Sequence, residues 1–595
     1  MMKIHFIFIL FILLPVSFYP QAPSSYTISF ENAVHHEAQV NATFSNLQKK
    51  EITITMSRSS PGRYALHEFV KNVYNFRVTD SKGNDLKAIR QDPYSWQITG
   101  HDGIIKLSYS LYANHGDGTY SQVDETHAHL NMPATFMFVP DLKDEKFEVA
   151  FKVREDLNWK IATQLRHVSN NTYAARDLQY FLDSPTEISD HSLRSFNLDG
   201  QTINFVLHHN GTEEEFDQFF EDVKLIVAQQ KEIFGELPKF DYQNYYFLAC
   251  YLPNVDGDGM EHRNSTILTT TRSLADGGLK RNLSTVSHEF FHCWNVERIR
   301  PADLEPYNFL KANMSEGLWF AEGFTSYYTS LVLCRAGLRS QEDYINSLTG
   351  TFNYVWNSNG RNFFNPVEMS QQATFVDAAK SVDPVNRDNT FISYYSYGSA
   401  LGLALDLALR EKNLNLDDYM KMVWFTYGKE EISYKVEDLH KVLNDYAGED
   451  FGDEFFTNYI YKSGMPNMKR LFENVGVSLS QDSTAAWFGR PISAGKIARN
   501  TLIGSPAYKA GLENGDKIIK FGEYSVNDKT DFDSLLSNFN PDDSIKVTFE
   551  RYGQSHITTV TLANNPRYEI KLLEAIGLQP TEQQKTARDL WLKAK

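Results

Sequence analysis

The sequence predicts a multidomain α+β protein with an N-terminal antiparallel β-sandwich, a mainly helical middle domain and a small β-rich C-terminal module. Three observations support this prediction. At 595 residues the chain exceeds the size at which a single hydrophobic core stops growing. Its apolar residues follow strand-like spacing up to about residue 209 and helical spacing after it. A third block, punctuated by glycine turns, begins near Val475.

The first residues predict a signal peptide over residues 1–21. Lys3 gives a positive start, and residues 4–14 form an apolar run too short to span a membrane comfortably. Cleavage is expected between Ser17 and Ala22, and a retained N-terminal anchor is the alternative. No later segment is long and apolar enough to cross a bilayer. We therefore expect a periplasmic or secreted protein with no stable membrane span after cleavage.

Residues 22–209 are predicted to form the β domain. Short runs at residues 27–30, 52–56 and 104–109 alternate or are continuously apolar. Gly, Asn, Asp and Pro interrupt such runs at short intervals. This spacing is typical of a sandwich of antiparallel strands.

Residues 210–465 are predicted to form the middle domain. Thr212 followed by Glu215 is a capping-box signature, which indicates the start of a helix. A strand-like run at residues 245–251 comes next, and helical patterns dominate from Leu283 to about Gly464. The capped helix is supported by apolar residues at helical spacing, namely Phe216, Phe219, Phe220, Val223, Ile226 and Val227.

The most informative stretch of this domain is His288-Glu289-Phe290-Phe291-His292. Two histidines four residues apart lie on one face of a helix, within reach of one shared zinc ion. Glu289 lies beside the first histidine, where a carboxylate can take a proton from a metal-activated water. The stretch therefore predicts a metallopeptidase.

A catalytic zinc needs a third protein ligand, and Glu322 is the candidate. It lies among large apolar residues in a segment that reads LWFAEGFTSYY, where a carboxylate needs a partner. Glu316 is the local competitor. Its neighbours Ser315 and Gly317 indicate a helix start, where an acidic residue suits the helix dipole.

Residues 475–563 are predicted to form the C-terminal module, and residues 564–595 a helical tail. Within the module Gly504-Ser505-Pro506-Ala507 precedes Ala510-Gly511-Leu512, and a helical stretch around Phe532 and strands at residues 545–549 and 557–562 follow. This pattern fits a small β-rich unit.

These motifs together resemble the gluzincin metallopeptidases, the group that includes aminopeptidase N. HEFFHxWN and LWFAEGFTSYY carry the resemblance, Gly259-Met260-Glu261-His262 looks like the exopeptidase motif, and Tyr395-Ser396-Tyr397-Gly398 looks like the motif that supplies a tyrosine. His262 and Tyr397 depart from the aminopeptidase N pattern. Glu322 follows His292 by thirty residues, which is a longer gap than in aminopeptidase N.

These departures fit the glycyl-aminopeptidase family, whose members carry an N-terminal β domain and a C-terminal PDZ domain. Ser60-Pro61-Gly62-Arg63-Tyr64 resembles the N-terminal signature of that family, and residues 295–301 resemble its extension after the zinc helix. The resemblance implies a thermolysin-like catalytic domain and covers nearly the whole mature chain.

The resemblance also implies roles for single residues. His288, His292 and Glu322 would hold one Zn²⁺ ion, and Glu289 would be the general base. Tyr395 would donate a hydrogen bond to the developing oxyanion, with Tyr394 as the alternative donor. In addition, Glu261 would bind the free α-amine of a peptide substrate.

The C-terminal module resembles a PDZ domain through its GSPAxxAGLxxGDxI pattern. Such domains bind the carboxylate of a peptide C terminus on backbone N–H groups. Trp487-Phe488-Gly489 is the candidate for that loop. The alternative is that the module only limits which peptides reach the active site.

The sequence thus predicts a zinc aminopeptidase acting on peptides, with a preference for small first residues such as Gly or Ala. Two alternatives are a PDZ-assisted endopeptidase for exported proteins and an inactive zinc-binding adaptor. The net charge of −17 argues against nucleic acid as a partner. Cys250, Cys293 and Cys334 are too few for a disulfide scaffold.

Overall fold

The computed structural model describes residues 24–378 and 385–594. The expected signal peptide, residues 1–21, lies outside the described residues. Three large hydrophobic cores correspond to a β-rich N-terminal domain, a mainly helical middle domain and a small C-terminal module. The multidomain α+β prediction is confirmed.

The N-terminal domain consists of three sheets around one core. Side chains from all three sheets meet there, including Val40, Ile54 and Leu130. The large sheet has the strand order Arg166–Ser169, Thr172–Ala175, Phe147–Lys152, Ser24–Ser29, Glu37–Phe44, Ile105–Tyr112, Val73–Thr79. The smaller sheets have the orders Lys160–Thr163, Thr186–Ser189, His127–Leu130, Gln122–Val123 and Glu51–Thr55, Ser95–Thr99, Lys87–Asp92.

One strand pair of this domain departs from the predicted antiparallel sandwich. Ser24–Ser29 runs parallel to Phe147–Lys152. More than a hundred residues separate the two strands, and a long connection of this kind permits parallel pairing where a hairpin does not. The other pairs of the large sheet are antiparallel.

The middle domain is built on a five-stranded sheet. Its order is Ser192–Leu198, Gln201–His209, Asn244–Tyr251, Ser265–Thr269, Asp258–His262. The strand Gln201–His209 pairs in parallel with Asn244–Tyr251, so residues 192–209 belong to this sheet. The structural boundary therefore lies near residue 190 and not at residue 209. Local spacing showed strands correctly but could not show which later strand they pair with.

Helices cover one face of this sheet. The first, Glu213–Phe234, has the predicted capping box between Thr212 and Glu215, which is confirmed. The following helices are Leu279–Arg281, Leu283–Phe291, Leu318–Ala321, Gly323–Arg335, Gln341–Trp356, Pro366–Ser370, Arg387–Thr390, Tyr394–Arg410, Leu416–Val423, Val436–Ala447, Glu449–Phe455 and Met468–Glu473.

Two of these helices cross at a pair of glycines. A Cβ atom on Gly323 would lie 2.3 Å from Cα of Gly398, and a Cβ atom on Gly398 would lie 1.8 Å from the carbonyl oxygen of Trp319. Only glycine permits this approach of two backbones. Glu322 precedes one glycine and Tyr395 lies one turn before the other, so the crossing places these two residues in the same region.

The C-terminal module contains the strands Ile492–Ser493, Lys496–Ile497, Lys517–Phe521, Tyr524–Ser525, Ser544–Arg551 and Gln554–Thr561, with helices Pro506–Lys509 and Phe532–Leu536. Ala486–Trp487 pairs with Ala563–Asn564. The module is docked on the middle domain through Asn389. Its amide donates to the carbonyl of Thr501 at 2.9 Å and accepts from the backbone N–H of Ile503 at 2.8 Å.

The tail differs from the predicted helical segment at residues 564–595. Tyr568–Leu572 is a strand paired with Val477–Gln481, and the ribbon packs on the core of the middle domain. Only Glu582–Leu592 is an α-helix in this segment. The indole of Trp591 is buried and donates to the hydroxyl of Tyr327 at 2.9 Å. The tail thus completes the middle domain.

Among the described residues, no helix combines the length and hydrophobicity needed to cross a membrane.

Candidate metal centre

The helix Leu283–Phe291 carries the His-Glu-x-x-His motif. Phe290 and Phe291 are fully buried in the core of the middle domain. Phe290 packs on Tyr245 and Phe247 of the sheet, and Phe291 packs on the neighbouring helices. His288 and His292 therefore share the opposite side, as the four-residue spacing requires. The two imidazole centroids lie 4.8 Å apart.

Glu322 completes a cluster with the two histidines. One of its oxygens, Oε2, lies 3.6 Å from Nε2 of His288 and 3.2 Å from Nε2 of His292. Zinc–ligand bonds of about 2.0–2.2 Å at tetrahedral angles separate the ligand atoms by about 3.3–3.6 Å. The three side chains are thus spaced as the ligands of one zinc ion, with a fourth position left over for water or substrate.

Hydrogen bonds on the far side of each imidazole orient its metal-binding nitrogen. Nδ1 of His292 lies 2.6 Å from the carbonyl oxygen of Asn295, which can only accept, so Nδ1 carries the proton. Nδ1 of His288 lies 3.0 Å from the hydroxyl of Thr329, which donates its own proton to the carbonyl of Thr325. Both Nε2 atoms therefore present a lone pair to the cluster.

Glu322 is itself held by the N-terminal domain. The hydroxyl of Tyr64 donates to its Oε1 at 3.0 Å, across 258 positions of the sequence. Its Oε2 is buried without a hydrogen-bond partner. A buried, unpaired carboxylate oxygen that faces two imidazole lone pairs fits a cation, so the donor set agrees with zinc.

The electrostatics of the cluster favour positive charge. Burial opposes ionisation of Glu322, but the imidazoles of His292 and His288 outweigh it and hold the pKa of Glu322 well below its ordinary value. Burial also opposes the charged form of His292, but the carboxylates of Glu322 and Glu261 outweigh it and raise its pKa to about 10. The carboxylates thus create the negative field that a cation site requires, and a bound metal would take the place of the proton that this field favours on Nε2 of His292.

Glu289 and Glu261 lie on the same side of the cluster. Their carboxylates and an imidazole nitrogen of His292 lie within 4.8 Å of one another. Burial, with Glu261 and Glu322 adding to it, raises the pKa of Glu289 well above its ordinary value. Burial likewise raises the pKa of Glu261. A carboxylate with a raised pKa is suited to accept and return a proton near neutral pH.

Glycine makes room for Glu289 on the neighbouring strand. A Cβ atom on Gly259, in Asp258–His262, would lie 2.2 Å from Oε1 of Glu289. This strand is at the end of the five-stranded sheet and pairs with Ser265–Thr269. The Gly-x-Met-Glu pattern therefore brings the strand, and with it Glu261, directly against the motif helix.

Of the two candidate tyrosines, Tyr395 is the one beside a histidine of the cluster. Its ring centroid lies 6.0 Å from that of His288, and its side chain is partly exposed. Tyr394 is buried in a small apolar cluster with Tyr64. Burial raises the pKa of Tyr395 well above its ordinary value, so its phenol stays protonated and can donate a hydrogen bond.

A loop of the N-terminal domain covers the cluster, which the sequence pattern did not reveal. Gly62 lies against Glu261, because a Cβ atom there would come within 3.1 Å of a carboxylate oxygen. Arg63 forms a salt bridge with Asp258. The Ser60-Pro61-Gly62-Arg63-Tyr64 signature was visible in the sequence, but nothing in it indicated a contact with the zinc ligand.

Other residues considered in the sequence lie away from the cluster. Glu316 is exposed and accepts a hydrogen bond from Gln371, so it is not the third ligand of this cluster. His262 faces Asp183 of the N-terminal domain, with Nδ1 2.9 Å from the carboxylate. A cavity of about 620 Å³ between the domains is lined by Asp183 and Glu297 but by none of the predicted ligands.

The predicted carboxylate loop of the C-terminal module lies at the end of a short strand and against the segment that starts at Ser505. Phe488 is buried in the core of the module, and its carbonyl accepts a hydrogen bond from the backbone N–H of Ala507 at 3.0 Å. Gly489 has φ +111° and lies against Ser505. Trp487 is half-buried. The role of Trp487-Phe488-Gly489 stays a prediction.

Comparison with known families agrees with this geometry. Residues 25–190 match the Peptidase M61 N-terminal domain, and residues 281–401, which include the motif helix, Glu322 and Tyr395, match the M61 glycyl aminopeptidase domain. The chain thus carries both M61 domains, the N-terminal domain followed by the glycyl aminopeptidase domain. Residues 493–562 match a PDZ domain. The M61 catalytic domain of this chain is that of a zinc metallopeptidase.

One solved structure with a high TM-score shares the fold of this chain. An aminopeptidase N family protein from Idiomarina loihiensis is 23% identical, with a TM-score of 0.83, and the match covers 96% of this chain and 100% of that protein. An M1 zinc metallopeptidase from Deinococcus radiodurans is 13% identical, with a TM-score of 0.44, over 74% of this chain and 94% of its own.

A curated relative matches a smaller part of the M61 chain. The serine protease Do-like HtrA of Lactococcus lactis is 36% identical over 93 residues, which are 15% of this chain. The match spans about a quarter of the length of that relative, 23%.

Proposed function

We propose that this protein is an aminopeptidase that removes the first residue of peptides, with one catalytic zinc ion held by His288, His292 and Glu322. One observation carries this proposal. The carboxylate of Glu261 lies within 4.8 Å of both Glu289 and His292. The α-ammonium of a peptide is two bonds from its first carbonyl carbon, so a carboxylate at this short distance from the metal ligands suits the N terminus.

The residues of the chain then have defined tasks. A bound zinc ion would polarise the first peptide carbonyl and make water more acidic. Glu289 takes the proton of the attacking water and returns it to the leaving amine. Tyr395 donates a hydrogen bond to the carbonyl oxygen as negative charge develops there. Glu261 fixes the ammonium group, so that only the first peptide bond reaches the catalytic groups.

The proposal includes a preference for small first residues such as Gly or Ala, and the covering loop supports it. A Cβ atom on Gly62 would lie 3.1 Å from a carboxylate oxygen of Glu261, and the hydroxyl of Tyr64 donates to Glu322. The loop is tied to the strand of Glu261 by the ion pair between Arg63 and Asp258. We therefore expect a peptide whose ammonium group meets Glu261 to bind best when its first side chain is small. A panel of aminoacyl substrates tests this, and faster turnover of leucyl than of glycyl substrates would reject it.

Free and blocked N termini test the assignment of Glu261. We expect Glu261→Gln to lower kcat/KM on free-amine peptides by roughly 10–100-fold, because a charge-assisted hydrogen bond contributes about 1.5–3 kcal/mol. The matched control is Glu316→Gln, an exposed glutamate that should have no effect. An equal loss on N-blocked peptides would show that Glu261 does not bind the amine.

Glu289 is tested by separating turnover from metal binding. We expect Glu289→Gln to lower kcat by about 10²–10⁴-fold, the usual contribution of a general base. Zinc content should stay that of the unaltered protein, since Glu289 is not among the three ligands. Turnover close to that of the unaltered enzyme would contradict the role given to Glu289.

The comparison of peptides with free and blocked N termini also distinguishes the alternative functions. The PDZ domain docks beside the segment that leads to Tyr394 and Tyr395, an arrangement that also suits delivery of a protein substrate. A PDZ-assisted endopeptidase would cleave N-blocked peptides, whereas an aminopeptidase would not. A zinc-loaded protein that cleaves neither class would indicate a binding adaptor.

Export to the periplasm or the medium is part of this proposal. Its support is the sequence of residues 1–21, with Lys3 before an apolar run. Cell fractionation checks it, and recovery of the full-length protein from the cytosol would contradict it. Peptide C termini at the PDZ domain are the proposed second class of partner.

A further inference from the structure

A second group of metal-binding side chains lies at the junction of the N-terminal and middle domains. It consists of His127, Glu187, His208 and Cys250, named here the junction cluster. His127 and Glu187 come from neighbouring strands of the N-terminal domain, and His208 and Cys250 are opposite each other in the middle-domain sheet. All four are buried, with exposed fractions between 0 and 6%.

The spacing of the four ligand atoms matches a tetrahedral site. Nδ1 of His127 lies 3.4 Å from Sγ of Cys250 and 3.5 Å from Oε1 of Glu187. Nδ1 of His208 lies 3.9 Å from the same sulfur and 3.5 Å from the same oxygen. Zinc bonds of about 2.0–2.3 Å place tetrahedral ligand atoms about 3.3–3.8 Å apart. The cluster therefore has the dimensions of a zinc site before any rearrangement.

Outer contacts turn the lone pairs of both imidazoles toward the centre of the cluster. Nε2 of His127 lies 3.1 Å from the side-chain oxygen of Gln122, whose own amide nitrogen donates to the carbonyl of Asn254. Nε2 of His208 lies 3.5 Å from the carboxylate of Asp190. Each Nε2 therefore faces an oxygen acceptor, and Nδ1 is the nitrogen that each ring directs at the cluster, where it can bind a metal when Nε2 carries the proton.

Glu187 gives an independent indication of a ligand. Its Oε2 is held by Nδ1 of His129 at 3.0 Å. Its Oε1 is buried, has no hydrogen-bond partner and faces the Nδ1 atoms of His127 and His208. When Nε2 of each ring carries the proton, three electron pairs converge in this buried space and repel one another unless a cation lies between them.

We propose that the junction cluster binds a second zinc ion with a structural role. A thiolate at Cys250 and the carboxylate of Glu187 together carry the two negative charges that balance a divalent ion. Sulfur with two imidazoles and one carboxylate is a donor set typical of zinc. The four protein ligands leave no position for water, as in structural sites. This ion would tie the N-terminal domain to the sheet of the middle domain.

This second site is separate from the catalytic one. The third group of candidate ligands, Glu261, Glu289 and His292, shares His292 with the catalytic cluster and belongs to the same pocket. The junction cluster shares no residue with it. The expectation of one zinc ion per chain, drawn from the sequence, therefore becomes two, and the proposal does not depend on the substrate of the enzyme.

Cobalt substitution tests the proposal on the full-length protein. Only the junction cluster contains sulfur, so Co²⁺ there gives a thiolate-to-metal charge-transfer band that Co²⁺ at the catalytic site cannot give. We expect the metal-free protein to take up two equivalents of Co²⁺, with this band accounting for one. His292→Ala should remove one equivalent and leave the band, whereas Cys250→Ser should remove the band.

Cys334→Ser is the matched control, because Cys334 is a buried cysteine remote from both clusters, beside the carbonyl of Leu592. It should keep both equivalents and the band. Co²⁺ uptake and the charge-transfer band of the unaltered protein test the second site even if Cys250→Ser does not fold. A protein that takes up one equivalent, loses it with His292→Ala and shows no charge-transfer band would overturn the proposal.

Discussion

At the scale of single residues, the two carboxylate oxygens of Glu322 have different partners. One carboxylate oxygen accepts a hydrogen bond from the hydroxyl of Tyr64, and the other faces the two histidines. The hydrogen bond fixes the rotation of the carboxylate and leaves one oxygen for the metal. A residue of the N-terminal domain thereby sets the geometry of a ligand in the catalytic domain.

Removal of this phenol tests its influence on the metal. We expect Tyr64→Phe to weaken zinc binding or lower kcat/KM by about 10–100-fold, the usual effect of losing a partner of a metal ligand. Competition with a chelator measures zinc affinity. Tyr74→Phe is the matched control, since Tyr74 also donates to a glutamate, Glu37, but on an exposed surface. Equal effects of the two changes would show that Tyr64 has no special role.

Part of this residue-level description could be predicted and part could not. The spacing of His288 and His292 follows from one helix, so local sequence was sufficient to predict their proximity. Glu322 was found because a carboxylate among large apolar residues needs a partner. The partner Tyr64 lies 258 positions away, and no local pattern relates the two. The junction cluster was missed for the same reason, since its ligands come from four separate strands.

At the scale of elements, the crossing of two helices determines how Glu322 and Tyr395 are placed. The backbones touch at Gly323 and Gly398, where any side chain would overlap main-chain atoms. The sequence showed Gly398 as part of a motif but gave no reason for it. The structure supplies that reason, because a larger residue would force the helices apart and move the tyrosine from the ligand.

The glycine contact predicts a large loss of stability. We expect Gly398→Ala to lower the free energy of unfolding by about 3 kcal/mol or more, because the added carbon would overlap the carbonyl of Trp319 and the backbone would have to move. The control is Gly350→Ala, in the exposed interior of Gln341–Trp356 with nothing within 4 Å of the new carbon. It should raise the free energy of unfolding by about 0.5–1 kcal/mol.

Chemical denaturation of the full-length protein measures both changes. Similar values for the two alanine variants would mean that the helix crossing tolerates a side chain. At this scale the sequence predicted the helix after Thr212 correctly, and the strand-like runs named from it coincide with strands of the structure. It placed the domain boundary at residue 209 because the parallel pairing of Gln201–His209 with Asn244–Tyr251 is a non-local choice.

At the scale of the whole molecule, the C-terminal tail returns to the catalytic domain. Trp591 is fully buried in the main core and contacts Tyr327 in Gly323–Arg335, the helix that follows Glu322. The side chain of Arg335 donates to the carbonyl of Trp591 at 3.0 Å. The last turns of the chain therefore support the helix next to the third zinc ligand, although the PDZ domain lies between them in sequence.

The tail predicts a stability effect from its last helix. We expect Trp591→Ala to lower the free energy of unfolding of the middle domain by about 3–5 kcal/mol, the usual cost of removing a large buried aromatic side chain. Leu590→Ala is the control, because Leu590 is 67% exposed. Chemical denaturation measures both variants. If Trp591→Ala and Leu590→Ala unfold at the same denaturant concentration, the buried indole does not stabilise the domain.

The loop over the active site limits how this enzyme can be rebuilt by domain exchange. Tyr64 and Arg63 of the N-terminal domain contact Glu322 and Asp258 of the catalytic domain. The active site is therefore built from both domains, although each domain has its own hydrophobic core. In a chimera whose N-terminal domain comes from a relative, the loop that contacts the zinc ligands would also come from that relative. Recombination between such enzymes should therefore conserve the loop and the catalytic domain as one unit.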